Sequence, residues 1–198
     1  MNFKNLPLGD VDAFSLRNFI QLSSLLLLSS CSDKEEWRGI VVEPENRCST
    51  YNRADYYYPQ NIEMEVIAAM GGIIYGPYTG TVYDKREHTD IEHIVALSEG
   101  HDSGMCKASQ RKKREFATDL QNLTLASPSI NRCTREGKCG LDAGEWLPKK
   151  NKCWFAHRVV LVKRKYKLSV DINEAKELES ILSRCKDMDM IFYSESYK

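Results

Sequence analysis

Thr89-Asp90-Ile91-Glu92-His93-Ile94-Val95, followed downstream by Asp119-Leu120-Gln121-Asn122-Leu123 and then Asn131-Arg132, gathers two carboxylates, an imidazole and two carboxamides in one stretch of chain. Glu92 and the amide oxygen of Asn131 are hard oxygen donors of the kind magnesium accepts. The imidazole of His93 can take a proton from water near neutral pH. Asp90 to Val95 reads as a strand with His93 near its end. On such a strand Asp90 and Glu92 face one side and His93 the other. Strand-end twist or a bulge then has to bring Glu92 and His93 around one site. Taken singly, a histidine is more often a satisfied core residue and an asparagine a turn former. Their conjunction carries the functional reading.

The surroundings of this stretch are polarised in charge. The chain has 28 Lys/Arg and 28 Asp/Glu, a net charge of zero, which excludes a surface uniformly coated in positive charge. The segment from Cys106 to Lys167 nevertheless carries roughly 16 Lys/Arg against 5 Asp/Glu. The segments on either side are acidic, by about −8 from Cys31 to Met105 and about −3 from Leu168 onward. A solvated face is the bland explanation of a basic run. Here the run begins just after His93 and encloses both asparagines, which points to a surface for a polyanion.

Apolar spacing predicts a helix over 63–70 (Met64, Ile67, Ala68) closed by Gly71-Gly72. Turn chemistry over Gly76-Pro77-Tyr78-Thr79-Gly80 precedes a short strand at Thr81-Val82-Tyr83. A basic helix is expected over 111–118, and a brief apolar stretch over 123–126 ends at Ser127-Pro128-Ser129. A helix is expected to begin at Gly144 and stop at Pro148, with two more over 159–166 and 173–185. Three consecutive tyrosines, Tyr56 to Tyr58, are expected to pack the start of the fold. His88 and His101 fall in predicted loops, and His157 beside Trp154 and Phe155 reads as packing.

Phe19 to Leu28 is an apolar run too short to span a bilayer, preceded by Lys4 and Arg17 and ending in Leu28-Ser29-Ser30-Cys31. Residues 1–31 therefore read as a signal peptide whose end resembles a bacterial lipobox, with Cys31 as the lipidated residue. Residues 32–47 are polar and read as a tether, leaving 48–198 as the domain. Export to a bacterial periplasm or cell surface, with a lipid anchor as the membrane contact, is the expected location. Cys48, Cys106, Cys133, Cys139, Cys153 and Cys185 form an even set in such a chain. Zinc is the competing use, but paired Cys-x-x-Cys knuckles are absent. The pairing expected first is Cys153 with Cys185, stapling the last helix to the domain.

Glu92-His93-Ile94-Val95, Asn122-Leu123 and Asn131-Arg132 together resemble the HNH endonucleases of the ββα-metal superfamily. The wider pattern is similar to the GmrSD-type HNH endonucleases and their secreted members. It adds Asp90 three residues before His93, Glu145-Trp146-Leu147-Pro148, Cys153-Trp154-Phe155-Ala156, and Leu168-Ser169-Val170-Asp171. The resemblance runs from about Tyr51 to Cys185. It implies an α+β fold, a ββα-metal nuclease core with additional helices and disulfides.

The resemblance also implies roles. His93 would deprotonate the attacking water, and Glu92 and Asn131 would hold one magnesium ion or a similar metal such as manganese. Asn122 would brace the loop and orient the histidine. Asp90 would be a second metal ligand or an outer-shell partner, and its role could be exchanged with that of Glu92. Arg132 would contact a phosphate. Arg111, Arg114, Lys149 and Lys150 would track a nucleic-acid backbone, a solvated cationic face being the alternative. The implied substrate is DNA, cut with low sequence preference to leave 5′-phosphate ends, with RNA as an alternative because the phosphate is common to both. Two other classes stay open: a catalytically silent nucleic-acid-binding lipoprotein, and a structural lipoprotein meeting an anionic surface polymer.

Overall fold

A computed structural model describes residues 34–193. The expected signal peptide and Cys31 lie outside the described residues.

The stretch that opened the sequence reading becomes a two-stranded antiparallel ladder. β1 (Glu36–Trp37), β2 (Ile40–Val41), β3 (Tyr75–Gly76) and β4 (Thr81–Val82) precede it, and β5 (Asp90–His93) pairs with β6 (Leu123–Ala126). Asp90 lies opposite Ala126, Glu92 opposite Thr124 and His93 opposite Leu123. Ile91, Leu123 and Leu125 bury against Tyr75 and against Ile62, Val66 and Ile67 of α1 (Ile62–Ala69). α4 (Pro128–Asn131) follows β6 directly, with Pro128 at its start, where the missing N–H costs nothing. Strand, strand and helix thus form the ββα unit.

The remaining helices build the main core. α2 (Leu97–Asp102) and α3 (Gln110–Thr118) occupy the connection between β5 and β6. Ser109 caps α3 by accepting from the Lys112 N–H. α5 (Lys152–Tyr166) and α6 (Ile172–Leu182) pack Phe155, Val159 and Val162 with Ala175, Leu178 and Leu182. Asp171 caps α6 by accepting from the Asn173 and Glu174 N–H groups. No described helix is long and apolar enough to cross a membrane.

Several expectations change. Residues 36–41, read as tether, fold into a hairpin whose turn uses positive φ at Arg38 and Gly39, as a two-residue turn of this hand requires. Ile40 is buried, and Val42 bridges Val170. Trp37 and Arg38 both donate to Glu179 on α6. A charged composition hid two apolar anchors. The expected helix from Gly144 does not form among the described residues. Asp142 Oδ1 instead accepts from the N–H groups of Gly144 and Glu145, making a turn. α5 starts seven residues before the expected 159, because Trp154, Phe155 and Ala156 already face the core. His101 sits in α2 rather than a loop, fully buried between Tyr56 Oη at 2.8 Å and the Ser49 carbonyl at 2.8 Å. His88 closes a short 3-10 helix, Arg86–His88.

Cys153 and Cys185 pair as expected, tying α5 to the segment after α6. Cys48–Cys106 and Cys133–Cys139 complete a disulfide-stabilised α+β domain.

Candidate active site

β5 ends at His93 with its register unbroken, so no bulge reorients the strand. Glu92 and His93 meet because a cleft of about 270 Å³ lies across the strand's end, lined by both of them, Asn131, Arg53, Tyr58 and Ser98. Asp90 opens into a neighbouring cleft with Arg132, and Asn131 borders both.

His93 is held by a single directed bond. Its Nε2 lies 2.9 Å from the carbonyl of Ala117 on α3. A carbonyl can only accept, so Nε2 carries the hydrogen and the neutral ring keeps its lone pair on Nδ1. The Tyr58 ring packs edge-on at 5.1 Å. Burial, the largest cause, drives the imidazole pKa down to about 3, and the Ala117 carbonyl partly offsets it. The ring is therefore a neutral base in the free protein.

Asn122 locks the backbone just beyond the histidine. Its Oδ1 accepts from Val95 N–H at 2.8 Å and its Nδ2 donates to Val95 O at 3.1 Å, while its carbonyl takes Ile94 N–H. The fully buried carboxamide imitates one more residue of strand after β5 and β6 separate.

Glu92 is 2% exposed and faces Lys138, itself 1% exposed, with Nζ 3.0 Å from Oε1. The same ammonium donates to the His93 carbonyl at 3.0 Å. Burial raises the Glu92 carboxyl to about 7, and Lys138 holds it from rising further. Lys138 is placed by a tight loop that the Cys133–Cys139 bond closes. A Cβ on Gly137 would stand 1.9 Å from the Arg132 carbonyl, so the loop needs glycine there.

Asn131 donates Nδ2 to Asp90 Oδ2 at 3.0 Å, which fixes the orientation of its carboxamide. Asp90 also receives a two-pronged contact from Arg132 at 3.0 and 3.2 Å. Asp90 is thus engaged by two donors, whereas Glu92 has the Lys138 ammonium, 3.0 Å from Oε1. A carboxylate and a carboxamide bordering one cleft suit a hard divalent cation better than a carboxylate already bridged by arginine.

The cationic residues singled out earlier are spread over the surface. Arg111 and Arg114 project from α3, with Arg111 paired to Glu115. Lys149 stands 3.7 Å from Glu136, and Lys150 lies over Tyr193. Neither pair lines the cleft. Among the described residues Arg53 lines the cleft and Lys138 reaches Glu92 from behind it, and no motif in the sequence marks either. Arg53 stacks over Tyr58 at 4.8 Å. Lys138 carried no signal beyond its glycine and cysteine neighbours, since nothing local marks a lysine as buried.

Residues 45–181 match the family described as GmrSD restriction endonucleases, C-terminal domain. A protein of Arthroderma benhamiae described as an uncharacterized secreted protein is 31% identical over 120 residues, covering 60% of this chain and 58% of that relative. The match therefore spans less than two thirds of the relative's length. No solved structure matches the chain.

Proposed function

Because the chain belongs to the family of GmrSD restriction endonuclease C-terminal domains, we propose that it is a metal-dependent HNH endonuclease that hydrolyses phosphodiester bonds in DNA. One observation carries the reading: a neutral histidine with Nε2 tied to a carbonyl opens on the same cleft as Glu92 and Asn131. His93 Nδ1 takes a proton from the attacking water. The negative charge of a bound phosphate raises the imidazole pKa, making it a stronger acceptor when substrate is present. Glu92 and Asn131 would hold the cation, which when bound would stabilise charge at the phosphate and leaving oxygen. Asn122 keeps the backbone that carries His93 in register with β6. Arg53 and Arg132 flank the site as phosphate contacts, Arg132 by exchanging its pairing with Asp90 for the substrate.

Substrate choice rests on the phosphate, so RNA is cut as well wherever its backbone fits, and sequence preference is low. Three disulfides and a relative described as secreted support export. The lipid anchor at Cys31 belongs to the same reading.

Purified protein incubated with supercoiled plasmid and magnesium tests the proposal. Nicking and linearisation are expected, abolished by EDTA and reduced by at least about a hundredfold in His93→Ala. Retained DNA binding without cutting would favour a silent binding protein instead. Activity that survives both EDTA and His93→Ala would refute the site.

A further inference from the structure

The three consecutive tyrosines expected to pack the start of the fold go separate ways. Asn52 caps a short 3-10 helix, Arg53–Tyr56, by accepting from the Ala54 N–H. Tyr56 is fully buried, with Oη 2.8 Å from His101 Nδ1. Tyr57 leaves the helix in extended backbone, and Pro59 disfavours helical backbone at Tyr58 before it. Tyr58 is half-buried, its ring centroid 5.1 Å from that of His93. Tyr57 is 62% exposed, the most exposed large apolar side chain among the described residues.

Tyr57 and Tyr58 share a cleft of about 390 Å³ with Arg53, Ala54 and Gln60. Arg53 and Tyr58 also line the cleft that holds Glu92 and His93, so the two openings adjoin. No carboxylate lines the outer one. The Arg53 guanidinium lies 4.8 Å over the Tyr58 ring, and its Nη1 donates to the Tyr56 carbonyl at 3.1 Å, which holds the cation in place. Arg53 has no carboxylate partner among the described residues, and Asp55, two positions along, is taken by Lys113 at 3.0 Å.

An open tyrosine ring beside a supported guanidinium plane suits a nucleobase. Every base has a π face, and both side chains offer it a flat partner. In a duplex both faces of a base are covered by its neighbours in the stack, so only an unpaired base is free to take this place.

We propose that Tyr57 and the Arg53 guanidinium, backed by Tyr58, form a stacking platform for an unpaired base beside the scissile phosphate, making single-stranded nucleic acid the preferred substrate. The inference rests on the nuclease reading of the adjoining cleft. Stacking tolerates any base, which agrees with low sequence preference.

Fluorescence titration of the His93→Ala chain, with magnesium, against a DNA strand carrying 2-aminopurine tests the platform without turnover. Stacking should quench the probe. Adding Tyr57→Ala, at an exposed position, should weaken single-strand binding by about fivefold or more and remove most of the quenching. Binding of the matching duplex should change by less than about twofold, and Tyr57→Trp should restore both single-strand readouts. An equal loss on strand and duplex, quenching that does not depend on Tyr57, or no binding of either form overturns the platform. So does faster cutting of the duplex than of the single strand by the unmodified chain. A chain that stacks the base through Tyr57 but never cuts would overturn the nuclease reading and leave the platform standing. One that cuts plasmid with no dependence on Tyr57 in these titrations would overturn the platform alone.

Discussion

Replacing Lys138 with methionine keeps much of the side-chain length but removes the ammonium that faces Glu92 and donates to the His93 carbonyl. Two costs follow. The lost hydrogen bond to a buried carbonyl is worth about 1 kcal/mol and does not depend on pH. The Glu92 cost does depend on pH, because a buried carboxyl without a partner takes a proton instead of remaining charged. In the unmodified protein the carboxyl sits at about 7, against an ordinary 4.5. A raised carboxyl stabilises the fold below its unfolded pKa and loses that contribution as pH rises through its folded pKa. With Lys138 present, this loss is complete soon after pH 7. Without it, the folded pKa climbs and the loss continues at about 1.4 kcal/mol per pH unit. The expected destabilisation of Lys138→Met is therefore about 1 kcal/mol at pH 7 and about 4 kcal/mol at pH 9. Guanidinium unfolding followed by circular dichroism, in EDTA from pH 6 to 9, measures it. The double variant Glu92→Gln/Lys138→Met should lose the extra pH slope. A difference between Lys138→Met and the unmodified protein that is flat across this range would refute the reasoning, as would a slope that persists in the double variant.

Acid acts through the other member of the pair. A histidine driven down to about 3 contributes stability that is present above its unfolded pKa near 6.5 and is lost as pH falls. His93→Gln should therefore lose about 2 kcal/mol less than the unmodified protein between pH 6.5 and 5, read by the same unfolding assay. Asn122→Ala strips Val95 of a donor and an acceptor and should cost about 3 kcal/mol in chemical unfolding; a loss under about 0.5 kcal/mol would mean the clamp is dispensable. Removing Cys153–Cys185, which closes 32 residues, should cost about 3.5 kcal/mol, seen as a lower melting temperature. Arg53→Ala should raise KM for a DNA oligonucleotide more than it lowers kcat; an unchanged KM would place Arg53 outside the substrate path.

β4, β5, α1, α3 and α6 were readable because their signals are local. β5 shows by Ile91 alternating with Asp90 and Glu92, β6 as a short apolar run, and α6 by its buried face at helical spacing in Ala175, Leu178, Ile181 and Leu182. The misreadings came where long-range packing overrode composition. Ile40 is buried in a hairpin held from the far end of the chain, where Val170 bridges Val42 and Glu179 accepts from Trp37 and Arg38. The turn at Asp142 replaces a helix because Gly144 presses against the start of α6, where a Cβ would stand 2.8 Å from the Glu174 nitrogen.

By itself, the order Asp90, Glu92, His93, Asn122 and Asn131 determined the family resemblance and the candidate chemistry, since residue type fixes what an atom can donate, accept or bind. Only the tertiary structure decided how the acids are divided. Asp90 is taken by Asn131 and Arg132, while Glu92 turns inward to Lys138. Alternation along the strand permitted both acids equally. The difference lies in which distant side chains arrive at each one, and in how much water they displace.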